Sequence, residues 1–456
     1  MGFSKPQQKR GLHDYPIGLP CGSNERILGM KLGFICLNLP GHLNPMTALA
    51  RHLQARNHEV VFLYSPSAGG LPCVPGDEKD YFNESRSDVS RRQGDDALAL
   101  ALGQVLKQTE GMLNSMPAML EANGVDALIL DTVQLYAELA PLRLGMPYIH
   151  VAAVLHFDYS GHTPHCVYGD RHETTAEAFQ RNREGVARLV PMLSNEGIKA
   201  YARKAGLKVD WDNPASTMSE LAWITQTPKE FDFESSHWPS QFHHTGPFHD
   251  GKGREPVDFP WERLTGEPLI YASMGTILNG QPEVFRAIAA GVGKHKDVQL
   301  VLSIGDQLEP EQIGPVPRNA IIVKRAPQLE LLKLAEVCIT HAGLNTALES
   351  LAQGVPQLAI PVTFDQPGIA ARIAAKKTGV VTSLNKLTPS RVSALLGEVL
   401  NDSTYRENAR KIQRAIVRTN GLSLAADLVE QALGVSKSVK SNIDRDLVPS
   451  EVQLTR

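Results

Sequence analysis

The chain has 456 residues, with 46 Lys and Arg against 49 Asp and Glu. That length exceeds what a single core usually supports, so two domains are expected. The near balance of charge supplies no basic face for nucleic acid or an anionic membrane, and no apolar run approaches the ~20 residues that cross a bilayer.

Cysteine usage sets the compartment. The five cysteines, Cys21, Cys36, Cys73, Cys166 and Cys338, are scattered and odd in number. They form no disulfide framework and no metal-ligand spacing, so a reducing, cytoplasmic setting is expected. Cys36 and Cys338 lie in apolar runs and read as small core residues.

Residues 1–29 carry Pro6, Pro16 and Pro20, with Lys5, Lys9 and Arg10 near the start, and lack the apolar core of a signal peptide. They read as a disordered tail ahead of Met30, where translation could itself begin. Leu32–Leu37 reads as the first strand and Glu59–Tyr64 as the second. Between them a helix is expected from Pro45 to about Arg56, with Met46, Leu49, Ala50 and Leu53 on one face. This βαβ opening puts His42 in a loop at the C-terminal edge of a strand, where ligands of open α/β sheets bind. An imidazole titrates near ~6.5 and so can take a proton at cell pH. A lone loop histidine is more often structural or simply solvated, so a partner decides the matter. A base that becomes imidazolium needs an orienting carboxylate. Asp131 ends the apolar run 127–130 at the same edge of the sheet. Its competing reading is a turn former or helix cap. Asp126 opens that run at the opposite edge and is not a candidate.

Residues 65–95 are polar and Gly/Pro-rich, too long for a tight connection. Leu98–Leu106 and Met112–Leu120 look helical, Tyr148–Val154 is another strand, 155–175 is a loop bearing His and aromatic residues, and helices follow over about 176–205. His162 and His165 lack a third ligand, and Asp210-Trp211-Asp212 lies in a Pro-bearing loop rather than at a strand end. Both read as structural, so no metal site is expected. Thr245 to Gly253 is Gly- and charge-rich and reads as a linker. The expected division is a tail at 1–29, a first domain at 30–245, a linker at 246–260, a second domain at 261–434 and a polar tail at 435–456.

The second domain opens with the strand Pro268–Ala272 and the Gly turn Ser273-Met274-Gly275-Thr276. Val298–Ser303 and Ala320–Lys324 continue the sheet. Residues 325–372 then hold the densest pattern in the chain. A buried strand, Val337–Thr340, ends in His341-Ala342-Gly343. A helix is expected to start at Asn345-Thr346 and to stop at Gly354-Val355-Pro356. A second strand, Pro356–Ile360, leads to Asp365-Gln366, and Pro367 opens another helix. Strand, tight turn and helix is an anion-binding arrangement, because the first-turn N–H groups lack internal partners and the helix dipole places about half a positive charge there. On this reading Gly343 lets the backbone approach a ligand, Asn345 and Thr346 cap the helix or donate to phosphate, and Glu349 accepts from ribose hydroxyls. The residues after 379 show apolar spacing of several further helices.

The stretch resembles the C-terminal signature of the UDP-glycosyltransferases. Ala326-Pro327-Gln328 stands before His341, Gly343, Asn345, Thr346 and Glu349, and the pair Asp365-Gln366 follows. Tyr271–Thr276 and Phe364–Arg372 are similar to the bacterial zeaxanthin and macrolide branch. The resemblance implies an α/β GT-B fold, with two Rossmann-like, doubly wound domains facing a cleft. It implies that His341, Asn345 and Thr346, with Ser273, Gly275 and Thr276, meet the diphosphate and that Glu349 meets the ribose. The Ala326 backbone and Gln328 face the base, Asp365 and Gln366 face the sugar, and His42 with Asp131 forms the catalytic pair. Arg325 stands where plant members place a stacking Trp, and Arg can also stack. Leu344 replaces a second Trp. The last helix is expected to pack back on the first domain. The implied activity is inverting transfer, most simply of glucose from a UDP-sugar, to a hydroxyl of a small, largely apolar acceptor such as a polyphenol, carotenoid or macrolide. No cofactor is expected beyond the UDP-sugar as co-substrate. The competing readings are an epimerase or hydrolase on the same fold, a TDP-sugar-using antibiotic enzyme, or a binding protein without catalysis.

Overall fold

The computed structural model describes residues 29–85, 88–89, 92, 94–275 and 280–435. Cys21, Thr276 and the two expected tails, apart from Gly29 and Val435, lie outside the described residues.

Among the described residues, two fully parallel sheets organise the molecule. The first has seven strands: β1 (Lys31–Ile35), β2 (Glu59–Leu63), β3 (Cys73–Val74), β4 (Ala127–Asp131), β5 (Tyr148–Ala152), β6 (Trp223–Thr225) and β7 (Phe242–His244). Their spatial order is β3-β2-β1-β4-β5-β6-β7. The second has six: β8 (Leu269–Ser273), β9 (Gln299–Ser303), β10 (Ala320–Val323), β11 (Ala335–Thr340), β12 (Gln357–Ala359) and β13 (Gly379–Val381), in the order β10-β9-β8-β11-β12-β13. In both, the chain starts mid-sheet, runs to one edge, then returns to the other side of its first strand. That reversal leaves a crevice at the strand ends, between β1 and β4 in the first sheet and between β8 and β11 in the second.

Parallel sheets need cover on both faces. Side chains alternate along each strand, so β1 sends Leu32 and Phe34 to one side and Ile35 to the other. Leu32 and Phe34 pack with Phe62, Met46 and Leu49, under the helix Pro40–Gln54. Ile35 packs with Leu128, Leu130, Met112 and Leu113, under the long helix Gly94–Ala122. The sequence splits that helix into two pieces around Gly111, but the structure runs it unbroken through Gly111 and Pro117. Its apolar face continues in step through Leu106, Met112, Leu113 and Met116, and burial of that face outweighs the local breakers. The three-residue strands β6 and β7 escape the sequence reading because such segments are too short to show a period.

The last helix, Gly421–Ala432, crosses back to the first sheet. Leu422, Ala425, Ala426 and Val429 join the core of Met46, Leu49 and Leu53. Arg56 seals that contact at its rim, donating to Asp427 at 2.6 Å and Glu430 at 3.2 Å.

Candidate active site

The first crevice is built by Pro40. A proline has its φ preset for the first helical position, and the helix begins there rather than at Pro45. His42 therefore sits in the first helical turn, not in the expected loop. Its Nδ1 lies 2.6 Å from Oδ2 of Asp131, the last residue of β4. Asp131 is fully buried and His42 is 9% exposed. The other Asp131 oxygen accepts the Val133 N–H at 3.4 Å. With Nδ1 donating to the carboxylate, Nε2 is the ring nitrogen left to take a proton.

Pro45 stays inside this helix, and its missing N–H deprives the Gly41 carbonyl of its i+4 donor. Asn345 supplies a donor from the second domain, its Nδ2 reaching Gly41 O at 2.6 Å. The Asn345 Oδ1 accepts from Gln226 Nε2 at 2.9 Å, and Gln226 also donates to Ala153 O at 2.6 Å. Asn345, expected to face a phosphate or to cap its helix, instead ties that helix to the residue before His42.

The second crevice holds another histidine. Ser273 ends β8 and Thr340 ends β11, and the two are register partners. His341 follows, wedged between glycines: a Cβ on Gly275 would come within 2.5 Å of its ring, and one on Gly343 within 2.4 Å. Gly275 also needs its left-handed φ of +76°. Gly343 does not, since its φ is −66° and the positive φ falls on Ala342 at +63°. The bare Cα of Gly343 makes room for the His341 ring. Burial lowers the His341 pKa to about 4, with the Ser273 carbonyl pulling the other way. The ring is neutral at pH 7, and its buried Nδ1 has no hydrogen-bond partner among the described residues. Ser273 Oγ accepts the Gly275 N–H at 3.3 Å.

Gly343, rather than Asn345 or Thr346, occupies the N-cap of the helix Leu344–Ala352, which has no side-chain cap. Its first-turn N–H groups thus keep their anion-binding character. Further along, a polar cluster closes around the buried Glu349. Gln328 Nε2 donates to Glu349 Oε2 at 2.6 Å and to Thr346 Oγ1 at 3.3 Å, while Tyr271 OH donates to Gln328 Oε1 at 3.0 Å. The Gln328 amide is thereby turned inward onto Glu349. Arg254, from the linker, donates to both Glu349 oxygens.

Other expected site residues are dispersed around these two centres. Ala326 packs on the core of Leu331 and Tyr271. The Arg325 side chain is held by Asp306, with Nε donating to Oδ1 at 3.0 Å and Nη2 to Oδ2 at 2.7 Å, and it remains more than half exposed. Asp365 Oδ2 accepts the Leu155 N–H at 3.0 Å across the cleft. Burial raises the Asp365 pKa, opposed by that N–H and by nearby His42. Gln366 spends its Oε1 on the Val362 and Thr363 N–H groups, at 2.9 and 3.2 Å, shaping its own loop. Asp210 and Asp212 form a turn, Asp210 Oδ1 accepting the Asp212 N–H at 3.1 Å. His165 stacks on Phe157 and His162 on His237.

One cluster has no counterpart in the sequence reading. Arg372, on the helix Gln366–Ala375, is buried and donates through Nε to Asp232 Oδ1 of the first domain at 2.7 Å. His156 Nε2 and His244 Nε2 lie 3.0 and 3.5 Å from the other Asp232 oxygen. Burial pushes the Asp232 carboxyl up, but Arg372 and then the two histidines outweigh it and hold it well below the usual range. Asp365 and Gln366 stand on a segment fixed to the first domain by this pair.

Two cavities flank the centres. One lies between Asn44 and Pro45, the linker residues His249 to Arg254, and Asn345 and Glu349. The other opens beside Thr132, next to Asp131, and is walled by Leu135, Tyr136, Phe157, Tyr159 and Trp223.

Known proteins are similar to this chain across both sheets. Residues 222–417 fit the family described as UDP-glucoronosyl and UDP-glucosyl transferase. Zeaxanthin glucosyltransferase of Pantoea ananas is 26% identical over 418 residues, covering 88% of this chain and 95% of that protein. The chain is similar to UDP-glycosyltransferases along most of its length. This glycosyltransferase is also similar to the NDP-glycosyltransferase YjiC of Bacillus subtilis (strain 168), at 24% identity over 86% of this chain and 95% of that one. Among solved structures, the glycotransferase of kitacinnamycin superposes with a TM-score of 0.69 at 21% identity, covering 89% of this chain and 99% of that one. That likeness gives the fold, GT-B. No helix among the described residues is long and apolar enough to cross a membrane.

Proposed function

We propose that the enzyme transfers a sugar, glucose in the simplest case, from a UDP-sugar to a hydroxyl of a small, largely apolar acceptor. The observation that carries this reading is the buried His42–Asp131 pair at 2.6 Å, joined through Gly41 and Asn345 to the helix that forms the nucleotide cradle. A binding protein without catalysis has no use for such a pair. An epimerase or hydrolase needs acid and base groups around the sugar itself, whereas His42 belongs to the domain opposite the cradle.

In this mechanism the acceptor lies in the aromatic cavity beside Thr132. His42 Nε2 takes its hydroxyl proton, and Asp131 stabilises the resulting imidazolium. The oxygen attacks the anomeric carbon from the face opposite the nucleotide, so an α-linked donor gives a β-linked product. The departing diphosphate receives the N–H groups at the start of the helix Leu344–Ala352, with the neutral His341 ring beside it. These donors fill the charge-stabilising role that a metal plays in other glycosyltransferases. Zeaxanthin glucosyltransferase, through its name, supports an extended apolar alcohol as acceptor class.

The test is incubation with UDP-glucose and EDTA against carotenoid alcohols, macrolides, flavonoids and simple phenols, following UDP release and product mass. Glycoside formation is expected. UDP release with no glycoside from any acceptor would favour the hydrolase, and activity abolished by EDTA would overturn the metal-independent step.

A further inference from the structure

The cavity beside Thr132 contains a carboxylate that the transfer mechanism does not use. Glu138 and His150 both line it, at 4% and 2% exposure. Glu138 precedes the helix Leu139–Leu144, and His150 stands in the middle of β5. Among the described residues no lysine or arginine pairs with Glu138.

The loop ahead of β6 fixes both groups. Thr217 Oγ1 donates to Glu138 Oε1 at 2.5 Å, and the Ser219 N–H donates to His150 Nδ1 at 3.0 Å. The loop itself is tied to β5: Ser219 Oγ donates to Tyr148 O at 2.6 Å, and Tyr148 OH donates to Thr217 O at 3.0 Å. A ring nitrogen that accepts an N–H carries no proton, so His150 holds its proton on Nε2. Glu138 Oε2 lies 3.8 Å from that nitrogen, beyond hydrogen-bond reach. Neither atom has another hydrogen-bond partner among the described residues. The Thr132 hydroxyl, which also lines the cavity, is buried without a partner. Buried polar groups are paired as a rule, so these three mark a place for a polar guest.

Donor and acceptor roles decide which guest fits. It must donate to Oε2 and accept from the Nε2–H. A hydroxyl does both, whereas an ammonium has no acceptor and an ether or keto oxygen has no proton to donate. The other walls include Leu135, Tyr136, Phe157, Tyr159, Met218 and Trp223. They suit an aromatic or aliphatic frame around that hydroxyl.

We propose that this cavity reads a hydroxyl on an apolar ligand, the group donating to Glu138 Oε2 and accepting from His150 Nε2. One consequence rests on the acceptor reading above: the acceptor class is a diol, with one hydroxyl glycosylated at His42 and the second held here.

The test has a binding arm and a transfer arm. Hydroxybiphenyl and methoxybiphenyl are titrated by calorimetry into the full-length wild type, Glu138→Gln and His150→Phe. The wild type should prefer the hydroxyl compound by about tenfold or more, the scale of a hydrogen bond to a charged group. Each variant should reduce that preference while methoxybiphenyl affinity holds, and His150→Phe serves if Glu138→Gln does not fold. With UDP-glucose, dihydroxybiphenyl should then exceed hydroxybiphenyl in kcat/KM by about tenfold. A wild type that binds the two monofunctional probes equally, or neither, overturns the proposal. So do variants that weaken both probes alike, which would make the pair structural. Glycosides formed in those cases would leave the acceptor reading standing. A hydroxyl preference that depends on Glu138, with no glycoside from any biphenyl, keeps the site and defeats the acceptor reading.

Discussion

The two crevices each hold a histidine, on opposite sides of the order reversal, and treat it oppositely. His42 follows β1 and His341 follows β11, each beside a strand at which its sheet reverses order. His42 faces a carboxylate, so its ring can donate from Nδ1 and accept a proton at Nε2. His341 faces bare glycine Cα atoms and a backbone carbonyl, and burial keeps it neutral. Position in the fold brings a histidine to each crevice, but the neighbours supplied by the adjoining strand decide whether its ring is paired with a carboxylate or packed against bare backbone. At the first crevice that neighbour is the Asp at the end of β4. At the second it is the Gly turn after β8.

The sharpest way to break this contrast is at the dyad. His42→Ala should lower turnover by about 10²–10⁴-fold, the range of general-base help. Asp131→Asn keeps the shape but loses the charge that stabilises imidazolium, and should cost about 10²-fold. Single-turnover rates together with UDP titration check both variants. Donor affinity should stay within a few-fold of wild type, because the cradle lies on the other domain. A His42→Ala enzyme with wild-type rates would remove the mechanism.

A smaller effect is expected at the second crevice. Gly343→Ala places a methyl within 2.4 Å of the His341 ring without demanding an unusual φ. The ring must shift, and strain of this kind typically costs ~1–3 kcal/mol. UDP affinity should fall by roughly tenfold or more, on the scale of ~1.4 kcal/mol per decade, while the rate at saturating donor changes less. A substitution that leaves UDP binding intact would show that the His341 ring position is irrelevant to the donor.

The legible parts of the molecule were those carried by local pattern. Strand ends show as the last residue of an apolar run, so Asp131 could be placed at the His42 edge from the sequence, and the 2.6 Å contact follows from that edge. The order His341, Gly343, Asn345, Thr346 and Glu349 was equally visible, but the direction of each side chain was not. Asn345 reaches Gly41 and Arg254 reaches Glu349, pairs 304 and 95 residues apart with no periodicity to join them. Arg372 and Asp232, 140 apart, were missed for the same reason. One signal was available and unused: Pro45 stands four residues after Gly41 and leaves a carbonyl that must find a donor. It also marked the helix as starting at the earlier proline.

The smallest expected effect separates a neutral histidine from a charged one by pH. His341 titrates near 4 in the folded chain, against about 6.5 when unfolded. Between those values the unfolded chain binds the extra proton, so stability rises with pH across the window. The contribution is complete above about 6.5 and is lost as pH falls toward about 4, at no more than ~1.4 kcal/mol per pH unit for one group. His165 and His244 are also held near 4 by burial and act in the same direction. Melting temperature should therefore drop from pH 6.5 to 4.5. In His341→Gln, which carries no proton to gain, the slope over that window should flatten in part, since other buried histidines such as His249 and His243 are lowered too. An unchanged slope would mean that His341 is solvated and free to charge, and the contrast between the two crevices would then rest on Asp131 alone.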